Sequence, residues 1–151
     1  MYLKKHKLSG YNLLSGIQIL ILDSEIDNLC LLTDVLEYEG ASVTAASLMS
    51  ELANPDITKH IDIMLVNIKT IKKYALAKQK RIADVKIPSE IPKIGIADNV
   101  QNSDYQDIQD LRCLCYFYKP FDSEEIIRLT LSTIEQPRFY QHLENITNII
   151  Y

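Results

Sequence analysis

A doubly wound α/β fold on a five-stranded parallel sheet is the architecture this sequence predicts, and three observations predict it. Five short apolar runs recur along the chain: "IQILIL" (17–22), "ASVTAAS" (41–47), "IDIMLV" (61–66), "PKIGIA" (92–97) and "CYFY" (115–118). The first, third and fourth are nearly continuous in Ile, Leu, Val and Met, the composition of strands covered on both faces. Stretches with helical spacing lie between and after the runs, and strand-to-helix alternation repeated five times implies right-handed crossovers and a sheet clad on both sides.

The helices follow in order. Ile26, Leu29, Leu32 and Leu36 recur at three and four residues, and Gly40 sits where a left-handed C-terminal cap belongs. Segments 47–54 (Leu48, Leu52 and Ala53 before Pro55), 72–84 (Ala75, Leu76, Ile82) and 101–111 (Ile108, Leu111) carry weaker apolar stripes, and Asp104, Asp107 and Asp110 read as one solvated face of the last of these. The fifth helix is the clearest. Asp122 or Ser123 caps it, Glu124 and Glu125 occupy its positive first turn, and Ile126, Ile127, Leu129, Leu131 and Ile134 form its stripe up to about Pro137. Beyond it, Phe139, Tyr140, Leu143, Ile146, Ile149 and Ile150 stand at helical spacing, an extra amphipathic helix. The expected layout is an N-terminal arm at 1–16 whose distal part docks on the domain, a domain at 17–136, and a tail helix at 137–151.

Composition excludes several function classes. A chain of 151 residues fits one domain and should bury roughly 70% of its unfolded surface. With a net charge of -4 it offers no polybasic field, so direct nucleic-acid binding is not expected. No apolar run approaches the length of a membrane span or a signal peptide, and the expectation is a cytoplasmic protein without membrane contact. Cys30, Cys113 and Cys115 have no metal-ligand spacing and read as reduced core thiols. Only four glycines are present, with no glycine-rich phosphate loop and no nucleophile and base pair, so no enzyme is expected.

A doubly wound fold binds beyond the carboxyl ends of its strands, where the chain order reverses. The residues just past each run are therefore the informative ones: Asp23 and Ser24, Asn67, Ala97 and Asp98, and Lys119. With "ILILDSE", "DIMLVN", "IPKIGIAD" and "YFYKPFD", this set resembles the receiver domain of bacterial two-component response regulators over about Ile17 to Gln136, a (βα)5 flavodoxin-like fold. The resemblance implies a pocket in which two acids and a phosphoacceptor aspartate hold magnesium, a Thr or Ser bonds the phosphoryl group, and a lysine pairs with it. Asp23 and Lys119 match that pattern. Ser24 replaces the second acid, Asn67 the phosphoacceptor and Ala97 the Thr or Ser.

The chemistry goes with those residues. An amide is far too weak a nucleophile to take a phosphoryl group, and magnesium needs near-octahedral oxygen ligands including carboxylates, which Asp23 alone with a contribution from Glu25 or Asp98 does not supply. No metal or cofactor is expected. Asn67 then reads as a structural residue bonding Lys119 or a backbone group ahead of a polar loop, "IKTIKKY", and Lys119 as a partner of Asp23. Asp98 reads as a solvated loop acid. Tyr116 and Tyr118, two residues apart on one strand, share a face and are interface candidates. The expected function is a phosphorylation-independent pseudo-receiver in signal transduction or a phosphorelay. It acts through protein partners (a kinase, a regulator or another signalling protein) with a homodimer possible. The alternative is a small-molecule or nucleotide sensor using the crevice between Asp23, Asn67, Ala97 and Lys119.

Overall fold

The computed structural model describes residues 12–98 and 102–135, the side chains of 102–104 excepted. Strands β1 (Gln18–Leu22), β2 (Ser42–Ala46), β3 (Ile63–Asn67), β4 (Lys93–Ala97) and β5 (Cys115–Tyr118) form one sheet in the order β2-β1-β3-β4-β5. Every pairing is parallel. Helices α1 (Ile26–Tyr38), α2 (Pro55–Thr58), α3 (Ile68–Ala77), α4 (Asn102–Asp110) and α5 (residues 123–135) cover it. The fold class read from the sequence is the one observed.

Side chains alternate across the strands and so divide into two cores. Ile19, Ile21, Ile63, Leu65, Ile94, Ile96 and Phe117 pack against Leu29, Leu32 and Leu36 of α1 and Ile126 and Ile134 of α5. On the other face Leu20, Leu22, Met64 and Val66 meet Ile68, Ile71 and Ala75 of α3 and Ile108 of α4. Leu14 is buried in the first core and its amide donates to the Glu39 carbonyl, so residues ahead of β1 are tied to the end of α1. Gly40 takes φ +93°, and a Cβ there would meet the Ser15 backbone at 3.3 Å. It is the left-handed cap that the spacing of α1 requires.

Several expectations change. The expected helix at 47–54 is instead a 3-10 turn at Met49–Ala53 followed by α2, because Pro55 forces Asn54 into extended backbone and then opens the next helix at its first position. The stretch after Asn67 is no loop, since α3 begins at Ile68 and ends at Ala77, well ahead of residue 84. Only Ile82–Asp84 of the remainder is helical, as a 3-10 turn, and Leu76 is 81% exposed rather than part of the stripe. Ile26 is exposed at the first position of α1, and Cys30 lies on the solvent side of that helix, not in the core. Cys113 is half-buried, and burial pushes its thiol up to about 12. Asp107 is buried and ion-paired with Lys72 at 3.0 Å, so α4 has no uniform solvated acidic face. Arg112 adopts φ +58° at a turn where glycine would be unstrained.

Asp122 accepts a hydrogen bond from the Glu124 amide and caps α5 as expected. Residues 1–11 of the expected arm, the stop near Pro137 and the tail helix at 137–151 lie outside the described residues. Among the described residues no helix is long and apolar enough to cross a membrane.

Candidate functional site at the carboxyl ends of the strands

β1 and β3 are adjacent in the sheet, and the chain order reverses between them. Their carboxyl ends deliver Asp23 and Asn67 to the same spot, with exposures of 0% and 2%. A buried carboxylate needs donors, and Asp23 has three. Its Oδ1 accepts from the Glu25 amide at 2.9 Å, and its Oδ2 accepts from Asn28 Nδ2 at 3.1 Å and Asn67 Nδ2 at 3.0 Å. Asn67 Oδ1 in turn accepts from the Lys69 amide at 2.9 Å and caps the N-terminus of α3. The two bonds together fix which end of the amide is nitrogen, because only that orientation donates to the carboxylate and accepts from the backbone. Of the two partners expected for Asn67, a backbone group is found in the Lys69 amide, and Asp23 takes the place of Lys119.

Ser24 is held by a residue the sequence did not single out. Thr70 Oγ1 accepts from the Ser24 amide at 2.9 Å and lies 3.0 Å from Ser24 Oγ. Lys119, expected to pair with Asp23, bridges two other carboxylates, Glu25 at 2.8 Å and Asp98 at 2.9 Å. Asp98 also holds Lys69 at 3.0 Å, so this partly exposed loop acid bridges two lysines. The N-cap signature of Asn67 was legible in advance. The Glu25 and Asp98 contacts were not, since they depend on how closely three separate loops approach.

This network sets its own titration. The hydrogen bond from Lys119 holds the Glu25 carboxyl below its ordinary value, and the bonds from Lys119 and then Lys69 do the same for Asp98. For Lys119, partial burial disfavours the charge, but its bonds to Glu25 and Asp98 outweigh this and raise it. Depressed carboxylates stabilise the fold above their unfolded pKa and lose that contribution as pH falls through the folded value. A raised lysine loses its contribution only as pH climbs through its own. The contribution of these ion pairs should therefore be constant from about pH 5 to 10 and fall on the acid side below about pH 4. In Lys119→Met the acid-side fall in urea midpoint should be shallower. An unchanged acid limb would mean that the ion pairs do not hold the loops.

No family model and no curated protein matches this chain. Among solved structures it is similar to a CheY-like response regulator receiver domain protein from Methanospirillum hungatei JF-1, with a TM-score of 0.63 at 16% identity over 83% of this chain and 99% of that one. The chain has the receiver fold. A two-component response regulator from Clostridium difficile gives a TM-score of 0.61 at 17% identity, covering 80% of this chain and 98% of its own. NtrX from Brucella abortus, solved with ADP, gives 0.63 at 16% identity, and this chain spans 28% of its length. Likeness at these identities is a likeness of fold.

Magnesium, which the receiver fold implies, does not fit the residues present. Asn67 turns an N–H donor toward the carboxylate where an oxygen ligand would be needed, and Asp23 is the one carboxylate bonded there. Among the described residues no three His, Cys, Asp or Glu side chains gather closely enough to hold a metal ion.

On the far side of the sheet's β5 edge, Tyr116 and Tyr118 share a face, with ring centroids 5.3 Å apart. Tyr105 of α4 packs edge-on against Tyr116 at 5.8 Å and is itself exposed. The two expected interface residues therefore belong to a three-ring cluster.

Proposed function

We propose that this chain is a receiver-like signalling module whose conformation does not depend on phosphorylation and which acts by binding a protein, in the manner of two-component systems. The observation that carries it is Lys119. The lysine that the resemblance would pair with a phosphoryl group is instead paired with two carboxylates of the chain itself, Glu25 and Asp98. With Asn67 bonded to Asp23 and Ser24 to Thr70, the remaining polar groups of the pocket have partners as well. Each contact satisfies a group that phosphorylation would otherwise engage.

A kinase, a regulator or a second copy of the chain would meet the Tyr105, Tyr116 and Tyr118 cluster, since aromatic side chains on an edge strand supply contact area at low entropic cost. Enzymatic chemistry is not part of the reading, and a cytoplasmic location is its natural setting. The test is an amide NMR titration of the full chain with magnesium and beryllofluoride, then acetyl phosphate, with oligomeric mass recorded on the same sample. Unshifted amides at Asp23, Asn67 and Asp98 are expected. A saturable shift centred on Asp23 and Asp98 would mean that an input chemistry survives, and the reading would be withdrawn.

A further inference from the structure

The crevice expected to receive a small molecule is occupied by the chain's own bonds, but a cavity of about 630 Å3 opens beside it, along α3. Of the four residues expected to form the crevice, only Ala97 borders this cavity. Its volume lies within the range of about 300–1,000 Å3 in which small-molecule sites fall. One wall is apolar, formed by Ile68, Ala75, Leu76 and Ile82, and Leu76 stands at 81% exposure.

The other wall is cationic, in a chain whose net charge is -4. Among the described residues four lysines line the cavity against one acid, Asp98. Lys69 and Lys72 are already held by Asp98 and Asp107 at 3.0 Å each. Lys73 and Lys80 have no ion-pair partner among the described residues. Two cations with no ion-pair partner among the described residues, beside a wall that ends in the exposed Leu76, are complementary to a molecule that is apolar at one end and anionic at the other.

We propose that this cavity binds an organic anion of nucleotide size, its apolar or aromatic body against Ile68, Ala75, Leu76 and Ile82 and its phosphate or carboxylate on Lys73 and Lys80. Lys69 connects the site to the ion-pair network, because it holds the same Asp98 that bridges to Lys119. An anion that draws Lys69 away leaves Asp98 to Lys119 alone, so occupancy is felt at the carboxyl ends of the strands. The inference does not rest on the proposed function. A chain that did take up beryllofluoride would keep this cavity, and the titrations above report on that question separately.

The test is amide NMR of the full chain, without magnesium, titrated with ATP and with 8-anilinonaphthalene-1-sulfonate as two ring-bearing anions. Adenosine and inorganic phosphate serve as ring without charge and charge without ring. Saturable shifts over residues 68–82 are expected with at least one ring-bearing anion, and adenosine and phosphate should each bind about tenfold or more weakly. Lys73→Glu with Lys80→Glu should weaken the anion by about tenfold or more, as should Leu76→Asp. All three positions are exposed, so the fold is kept, and unchanged amides at Leu20 and Ile94 verify it. The proposal is overturned if neither anion shifts these residues, if the shifts centre elsewhere, if the charge reversals leave affinity unchanged, or if either control binds as tightly.

Discussion

Asn67→Asp should destabilise the domain by about 3 kcal/mol at neutral pH, measured as a lower urea midpoint with an unchanged slope. The substitution places an acid at a position 2% exposed, next to an Asp23 that is 0% exposed. It removes the one N–H that Asn67 gives the Asp23 carboxylate at 3.0 Å and puts a second negative charge in its place. Aspartate still accepts from the Lys69 amide, so the start of α3 is preserved and the effect isolates the carboxylate pair. Two buried carboxylates at hydrogen-bond distance cannot both ionise without cost, so the new group's pKa is raised in the fold. A group so raised is destabilising above its folded pKa and harmless below its unfolded one. The gap between variant and wild type should therefore close as pH falls toward about 4. Equal stability at pH 7 would show that the amide contact does not hold the site. On the proposed function acetyl phosphate should leave the variant unmodified, because Ser24 and Ala97 stand where the resemblance would place a second acid and a hydroxyl.

Lys93→Met should act in the opposite sense, raising stability by about 1–2 kcal/mol near pH 7. Lys93 is 2% exposed at the start of β4, and its ammonium donates to the Ile91 carbonyl at 2.9 Å. No carboxylate among the described residues is ion-paired with it. Burial pushes its pKa down. A lysine depressed in the fold is destabilising below its folded pKa and neutral in effect above its unfolded one. Wild type should therefore gain on the methionine variant as pH rises toward about 10.4. Methionine keeps the length of the stem and fills the same space without the charge. A loss of stability on substitution would show that the ammonium has a stabilising partner at this end of the sheet.

The two variants probe what the sequence shows unequally. Strands β1, β3 and β4 were legible because a strand buried on both faces must be apolar throughout, and few other elements five residues long look like that. Helix α1 was legible from three- and four-residue spacing closed by Gly40, and the start of α5 from Asp122, since capping is chemistry between neighbours in sequence. The same logic was available for α3 and was overridden. Asn67 followed by Ile68, Ile71 and Ala75 is a capped apolar stripe, but the lysines between them resemble a loop when the cap is not considered. Leu76 and Ile82 continue the helical spacing in the sequence, but α3 ends between them and Leu76 is exposed.

The sequence by itself determined the fold class, the places of the buried strands, and the identity of the residues at their carboxyl ends. All of these follow from local periodicity and from side-chain chemistry. Only the tertiary structure decided what those residues do to one another: that Asn67 donates to Asp23, that Lys119 reaches Glu25 and Asp98, that Asp107 is buried against Lys72, and that Lys93 is enclosed. Such pairings join residues up to 94 positions apart, and they depend on the approach of loops to within a hydrogen bond's length. Periodicity fixes the face on which a side chain lies, whereas electrostatic partnership falls off within a few ångströms, and no pattern along one strand carries the distance to a group on another.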